Sequence, residues 1–114
     1  EVIKNEWLTI EAPKGKSYAF CADTRYNEAM LEYIKGTDMI YHESTYLEVF
    51  RERAEERFHS TAKQAALIAR KAGVKKLLLG HFSSKYDTLE EFEAEAREVF
   101  PNTELALEGV TYRV

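Results

Sequence analysis

Short apolar strands separated by amphipathic helices leave this chain few ways to fold. Ser17–Cys21, Asp38–His42 and Lys76–Gly80 read as strands, and each is separated from the next by a segment of helical periodicity. Such βαβ units require crossover connections, so the central sheet is expected to be largely parallel with helices packed on it. The Tyr26–Lys35 helix carries Tyr26, Ala29, Met30, Tyr33 and Ile34 on one face and stops at Gly36. A second helix is expected over Tyr46–Glu56, and a third from Thr61 to Lys71. The third has a capping box in Thr61 and Gln64, an inward row of alanines and a stop at Gly73. Thr88 and Glu91 match a second capping box, opening a helix with Leu89, Phe92, Ala96, Val99 and Phe100 inward. Trp7–Ile10 alternates like a strand, and Thr103–Leu107 and Val110–Val114 are expected to pair around a Glu108-Gly109 turn. Residues 1–114 read as a single α/β unit.

Charge and cysteine content narrow the class. Twenty acidic against sixteen basic side chains give a net charge of −4, which argues against a surface given over wholly to gripping nucleic acid. Cys21 is the single cysteine, so no internal disulfide can form. No apolar run reaches the roughly 20 residues of a membrane span, and no leader pattern is visible. A cytoplasmic protein without a membrane partner is the expectation.

The polar residues fall where a parallel sheet gathers its ligands. Asp23 follows the first central strand, His42-Glu43 the second and His81 the third, all at strand C-terminal ends. His59 stands just before the helix opened by Thr61, whose exposed N–H groups suit an anion. Taken singly, each has an ordinary role. Asp23 reads sooner as a helix cap, Glu43 as a loop charge, His42 as a satisfied strand-end residue, and Ser60 and Thr61 as capping residues. An aspartate and several histidines on one sheet edge suit a divalent metal and proton transfer, which points to a metal-assisted, hydrolytic site. The residues themselves select no substrate.

Four ordered strings carry a resemblance: Phe20-Cys21-Ala22-Asp23-Thr24-Arg25-Tyr26, Tyr41-His42-Glu43-Ser44-Thr45, Phe58-His59-Ser60-Thr61 and Leu79-Gly80-His81-Phe82-Ser83-Ser84-Lys85-Tyr86. From about Trp7 onward the chain resembles the C-terminal half of the bacterial ribonuclease Z family, the tRNA 3′-end processing endonucleases of the metallo-β-lactamase superfamily. The resemblance implies half of an αβ/βα sandwich, a mixed sheet with helices packed on it. It also implies a precursor tRNA substrate, two zinc ions in a complete site and a cytoplasmic homodimer. It makes Asp23 and His81 metal ligands, and His59 the residue that contacts the scissile phosphate and protonates the leaving 3′-oxygen. Glu43 would orient that histidine, with Ser60, Thr61 and His42 supporting the loop and the substrate phosphate. Ser44 stands where the family motif has alanine.

The superfamily's His-x-His-x-Asp-His signature, which supplies most ligands of both metals, does not occur in these 114 residues. Nor does the further histidine that precedes the aspartate, or the arm that clamps tRNA. Asp23 and His81 fall short of the three protein ligands a catalytic zinc normally takes, so the isolated chain is expected to be inactive. Two other readings stand beside this one. One is another metallo-β-lactamase-fold phosphoesterase. The other is a non-catalytic module that self-associates through an uncovered sheet face bearing Tyr18, Phe20, Ile40 and Leu78.

Overall fold

The computed structural model of the protein describes residues 2–4, 8–11, 15–21, 26–83, 89–107 and 110–113. Strands β3 (Tyr18–Cys21), β4 (Met39–Glu43), β5 (Lys76–Gly80) and β6 (Thr103–Leu105) form one sheet in sequential order. Every pair in it is parallel, so all four C-terminal ends meet at one edge. Helices supply the crossovers: α1 (Leu31–Ile34), α2 (Arg51–Glu56), α3 (Ala62–Ala72) and α4 (Glu90–Arg97). The two earlier helices are shorter than their periodicity suggests, because each begins as a 3₁₀ turn, Glu28–Met30 and Glu48–Phe50.

Helix α3 is the element whose local signals are most complete. Thr61 accepts from the Gln64 N–H while the Gln64 side chain accepts from the Thr61 N–H, and Gly73 closes the helix in the left-handed conformation. Its buried face consists of Ala62, Ala65, Ala66, Ile68, Ala69 and Ala72, and it packs on Ile40, Leu77 and Leu79 of the sheet. Leu77, Leu78 and Leu79 are all fully buried, each contributing about 2 kcal/mol. Helix α4 starts from Leu89, with no side-chain cap; the expected capping residue Thr88 lies outside the described residues.

The sheet's other face corrects two expectations. Strand β7 (Val110–Arg113) does not pair with β6. It runs parallel to β2 (Leu8–Glu11), which pairs antiparallel with β1 (Val2–Lys4), so the two strands expected to form a hairpin belong to different sheets. The inner face therefore has a partner layer in this chain: Tyr112 of β7 packs with Met39, Tyr41 and Leu78. The Tyr112 hydroxyl donates to the Leu105 carbonyl and accepts from the Leu107 N–H, tying the second sheet to the end of β6. Strand alternation also sends Ile40 to the helix side rather than inward. Phe20 stacks on Tyr41 with centroids 4.5 Å apart, yet remains half-exposed.

Candidate acid-base and metal site

The site is built where three segments meet at the C-terminal edge of β4 and β5. Ser44 donates its N–H to the Gly80 carbonyl (2.8 Å), and Ser83 donates to that of Thr45 (3.0 Å). Tyr46 and Thr61 form a parallel bridge that draws the start of α3 alongside. Gly80 is required here, because a Cβ at this position would lie 2.1 Å from the Tyr41 hydroxyl.

Glu43 is the hub, fully buried at the end of β4. One carboxylate oxygen, Oε1, accepts from the Ser60 N–H at 2.7 Å and from His59 Nδ1 at 3.1 Å. The other, Oε2, accepts from the Thr45 N–H at 3.0 Å and the Thr45 hydroxyl at 2.8 Å. Four donors fill the roughly four lone-pair positions of an ionised carboxylate, so burial of the charge is fully compensated. Because a carboxylate only accepts, the His59 proton facing it is on Nδ1, and Nε2 is the nitrogen left for chemistry.

His59 is thrown clear of α2 by a strained cap. Phe58 takes a left-handed φ of 59°, and the His59 N–H reaches back to the Ala54 carbonyl at 2.8 Å. A left-handed phenylalanine costs on the order of 1–2 kcal/mol, and here it sets the direction in which His59 leaves the helix. The His59 side chain is 23% exposed, with Tyr46 at its edge and the His81 ring stacked beside it at 5.3 Å. His81 also has a left-handed backbone, with φ 57°, and is exposed.

Glu43, His59 and His81 each bring a ligand atom within 4.8 Å of the others, a spacing that could hold a metal ion. The hydrogen bonds divide that group. Glu43 has its acceptor positions filled by protein donors, so it suits the orienting role rather than ligation. His81 fits a metal as one ligand, because its Nδ1 contacts the Thr45 hydroxyl at 2.9 Å, an outer-shell contact of the sort that orients ligating imidazoles. Asp23 lies outside the described residues.

The remaining sequence-derived residues act from behind. The Ser60 N–H is on Glu43, and the Thr61 hydroxyl caps α3 while donating to Glu48 at 2.7 Å. The His42 ring is fully buried, and its Nδ1–H is on the Glu43 carbonyl, 2.7 Å away. Burial pushes its pKa down to about 4, partly offset by that hydrogen bond, so the ring is neutral; among the described residues its buried Nε2 has no hydrogen-bond partner. Two residues given no role from sequence belong to the framework. Thr45 links Glu43 to His81. Glu95 of α4 accepts from the Glu48 N–H and, at 2.9 Å, from the Lys63 N–H, holding the start of α3 from the far side. Thr45 was visible as part of a motif string, whereas Glu95 carries no local signal beyond a charged helix position.

No family model matches the chain. Curated relatives do: it is 46% identical over all 114 residues to ribonuclease Z of Parabacteroides distasonis and 47% identical over 107 residues to that of Cytophaga hutchinsonii. Against ribonuclease Z of Azobacteroides pseudotrichonymphae it is 52% identical over 108 residues. These matches take in 94–100% of this chain but only 34–38% of each relative. The chain thus spans about a third of their length, less than the half expected. Among solved structures, the metallo-β-lactamase fold protein YhfI of Bacillus subtilis superposes with a TM-score of 0.71 at 21% identity, covering 95% of this chain and 41% of that one. The short form of human tRNase Z gives 0.56 at 24% identity, over 89% of this chain and 30% of that one. In sequence the chain resembles about a third of ribonuclease Z, and its fold is a portion of the metallo-β-lactamase fold.

Proposed function

We propose that these residues form the acid-base side of a zinc-dependent endoribonuclease that removes the 3′ trailer of precursor tRNA and leaves a 3′-hydroxyl. The observation that carries this reading is the buried Glu43 carboxylate fixing His59 through Nδ1, so that Nε2 faces outward at the sheet edge. In this reading His59 donates its Nε2 proton to the leaving 3′-oxygen, and Glu43 stabilises the ring as a donor throughout. Ser60 and Thr45 keep Glu43 in place, and Thr61 anchors the loop to α3. His81 would hold metal through Nε2, with Asp23 as the second ligand that the resemblance implies. Zinc, when bound, supplies activation of water and neutralisation of phosphate charge. The ordinary three protein ligands are not met by these two, so the 114 residues on their own are without nuclease activity in this reading. The resemblance also carries two zinc ions per complete site, the C-terminal placement of this segment in a longer enzyme, a homodimer and a cytoplasmic location.

The test is a chimera. The matching third of the Parabacteroides distasonis relative, 46% identical, is replaced by this chain and the product is given precursor tRNA and zinc. Correct 3′ cleavage is expected, reduced about 10²–10⁴-fold in His59→Ala. A folded, zinc-loaded chimera that leaves precursor tRNA intact would refute the reading, and correct cleavage by the isolated chain would refute its inactivity.

A further inference from the structure

The Thr45 hydroxyl has a single proton, and the geometry says where it goes. Thr45 Oγ1 lies 2.8 Å from Glu43 Oε2 and 2.9 Å from His81 Nδ1. A carboxylate oxygen can only accept, so the hydroxyl proton is given to Glu43. Thr45 Oγ1 must then accept from the imidazole, which places a proton on His81 Nδ1 and leaves the lone pair of the neutral ring on Nε2. We propose that Thr45 is a positioning residue that fixes the His81 tautomer, presenting Nε2 to a metal and passing to it the influence of the Glu43 charge. The inference rests on the metal-ligand role proposed for His81, but the tautomer itself follows from the hydrogen bonds alone.

The consequence is that one carboxylate governs both functional imidazoles. His59 reaches Glu43 directly through Nδ1–H, and His81 reaches it through one hydroxyl. The two rings are stacked with an interplanar angle of 27°. Each turns Nδ1 toward the buried hub, so both Nε2 atoms are assigned to the reaction side. Thr45 is itself held by its N–H on Glu43 and is 6% exposed, so the hydroxyl is not interchangeable with bulk water.

Long-range ¹H–¹⁵N correlation of the metal-free, ¹⁵N-labelled chain at about pH 8.5, where ordinary imidazoles are neutral, reads the tautomers directly. The expected spectrum has a pyrrole-type Nδ1 and a pyridine-type Nε2 for His81. Thr45→Ser should retain this pattern, and Thr45→Val, which keeps the shape but removes the hydroxyl, should shift His81 toward the Nε2–H form. His42 provides an internal control, since its Nδ1–H on the Glu43 carbonyl should persist in every folded variant. A wild-type His81 protonated on Nε2 would overturn the proposal. So would a folded Thr45→Val that keeps the Nδ1–H form, or a folded Thr45→Ser that loses it. Should Thr45→Val lose the His42 signature, the wild type and Thr45→Ser decide the matter. Failure of the chimera to cleave tRNA would leave this spectrum unchanged, so the two claims fail separately.

Discussion

Glu43 and Glu95 are two carboxylates that perform one structural act in different regions, and only one of them also holds an imidazole, that of His59. Each accepts backbone N–H groups from two separate segments: Thr45 and Ser60 for Glu43, Glu48 and Lys63 for Glu95. Between them they fasten both sides of the stretch that carries His59. Glu43 sits fully buried at the sheet edge and engages a backbone N–H with each oxygen. Glu95 is half-buried on α4, and its Oε2 contacts both of its N–H donors. Burial raises the Glu95 pKa, with the two N–H groups pulling it back. At Glu95 the Glu48 N–H is shared by both oxygens, whereas at Glu43 each oxygen serves a different backbone N–H.

That difference can be broken by the same substitution at both sites. In Glu43→Gln, whichever way the amide turns, its NH₂ meets a backbone N–H, and the expected loss is about 3–4 kcal/mol. In Glu95→Gln the carbonyl oxygen can stay on both donors, while the NH₂ that meets the shared Glu48 N–H can turn toward water at this partly exposed position, so the expected loss is smaller, about 1 kcal/mol. Urea denaturation of the two variants measures the gap, and equal losses would dissolve the distinction.

Acid should separate the two regions next. His42, lying beneath the hub, has a folded pKa of about 4, below the ordinary value of 6.5. The unfolded chain therefore binds the extra proton first as pH falls. The His42 contribution is intact above about pH 6.5 and shrinks by about 3 kcal/mol as pH drops to 4. Glu95, with its raised pKa, acts in the opposite sense, favouring the folded state as it protonates. Denaturation midpoints across this range should fall in the wild type, and a flat profile would contradict a buried neutral His42.

Smaller effects sharpen the comparison further. Gly80→Ala forces the Tyr41 ring off β5 beside the hub and should cost about 2 kcal/mol. Thr61→Ala removes one half of the capping box on the segment that both carboxylates share, costing about 1 kcal/mol. Thermal unfolding resolves both.

The sequence disclosed those parts of the fold whose signals are local. Lys76–Gly80 is a strand as read, and α3 begins at Thr61 and ends at Gly73 because a capping box and a left-handed glycine lie within the helix's own residues. The pairing of β2 with β7 was not legible, because Leu8 and Val110 meet across almost the whole chain and a short connection after Leu107 mimics a hairpin. For the site, strand ends placed Glu43 and His81 on one edge, but the resemblance was needed to give them roles. Thr45 and Glu95 escaped notice for a physical reason. A threonine's hydroxyl partners and a helix-surface glutamate's capping duty depend on residues 32 to 47 positions away, as with His81, Lys63 and Glu48.

The central claim is that Glu43 holds His59 as the acid for the leaving 3′-oxygen, and replacing that oxygen by sulfur tests it most directly. A thiolate leaves without protonation, so the chimera should cleave a precursor tRNA with a bridging 3′-sulfur at nearly the wild-type rate even in His59→Ala. Loss of His59 that slows the sulfur and oxygen substrates equally would contradict the account.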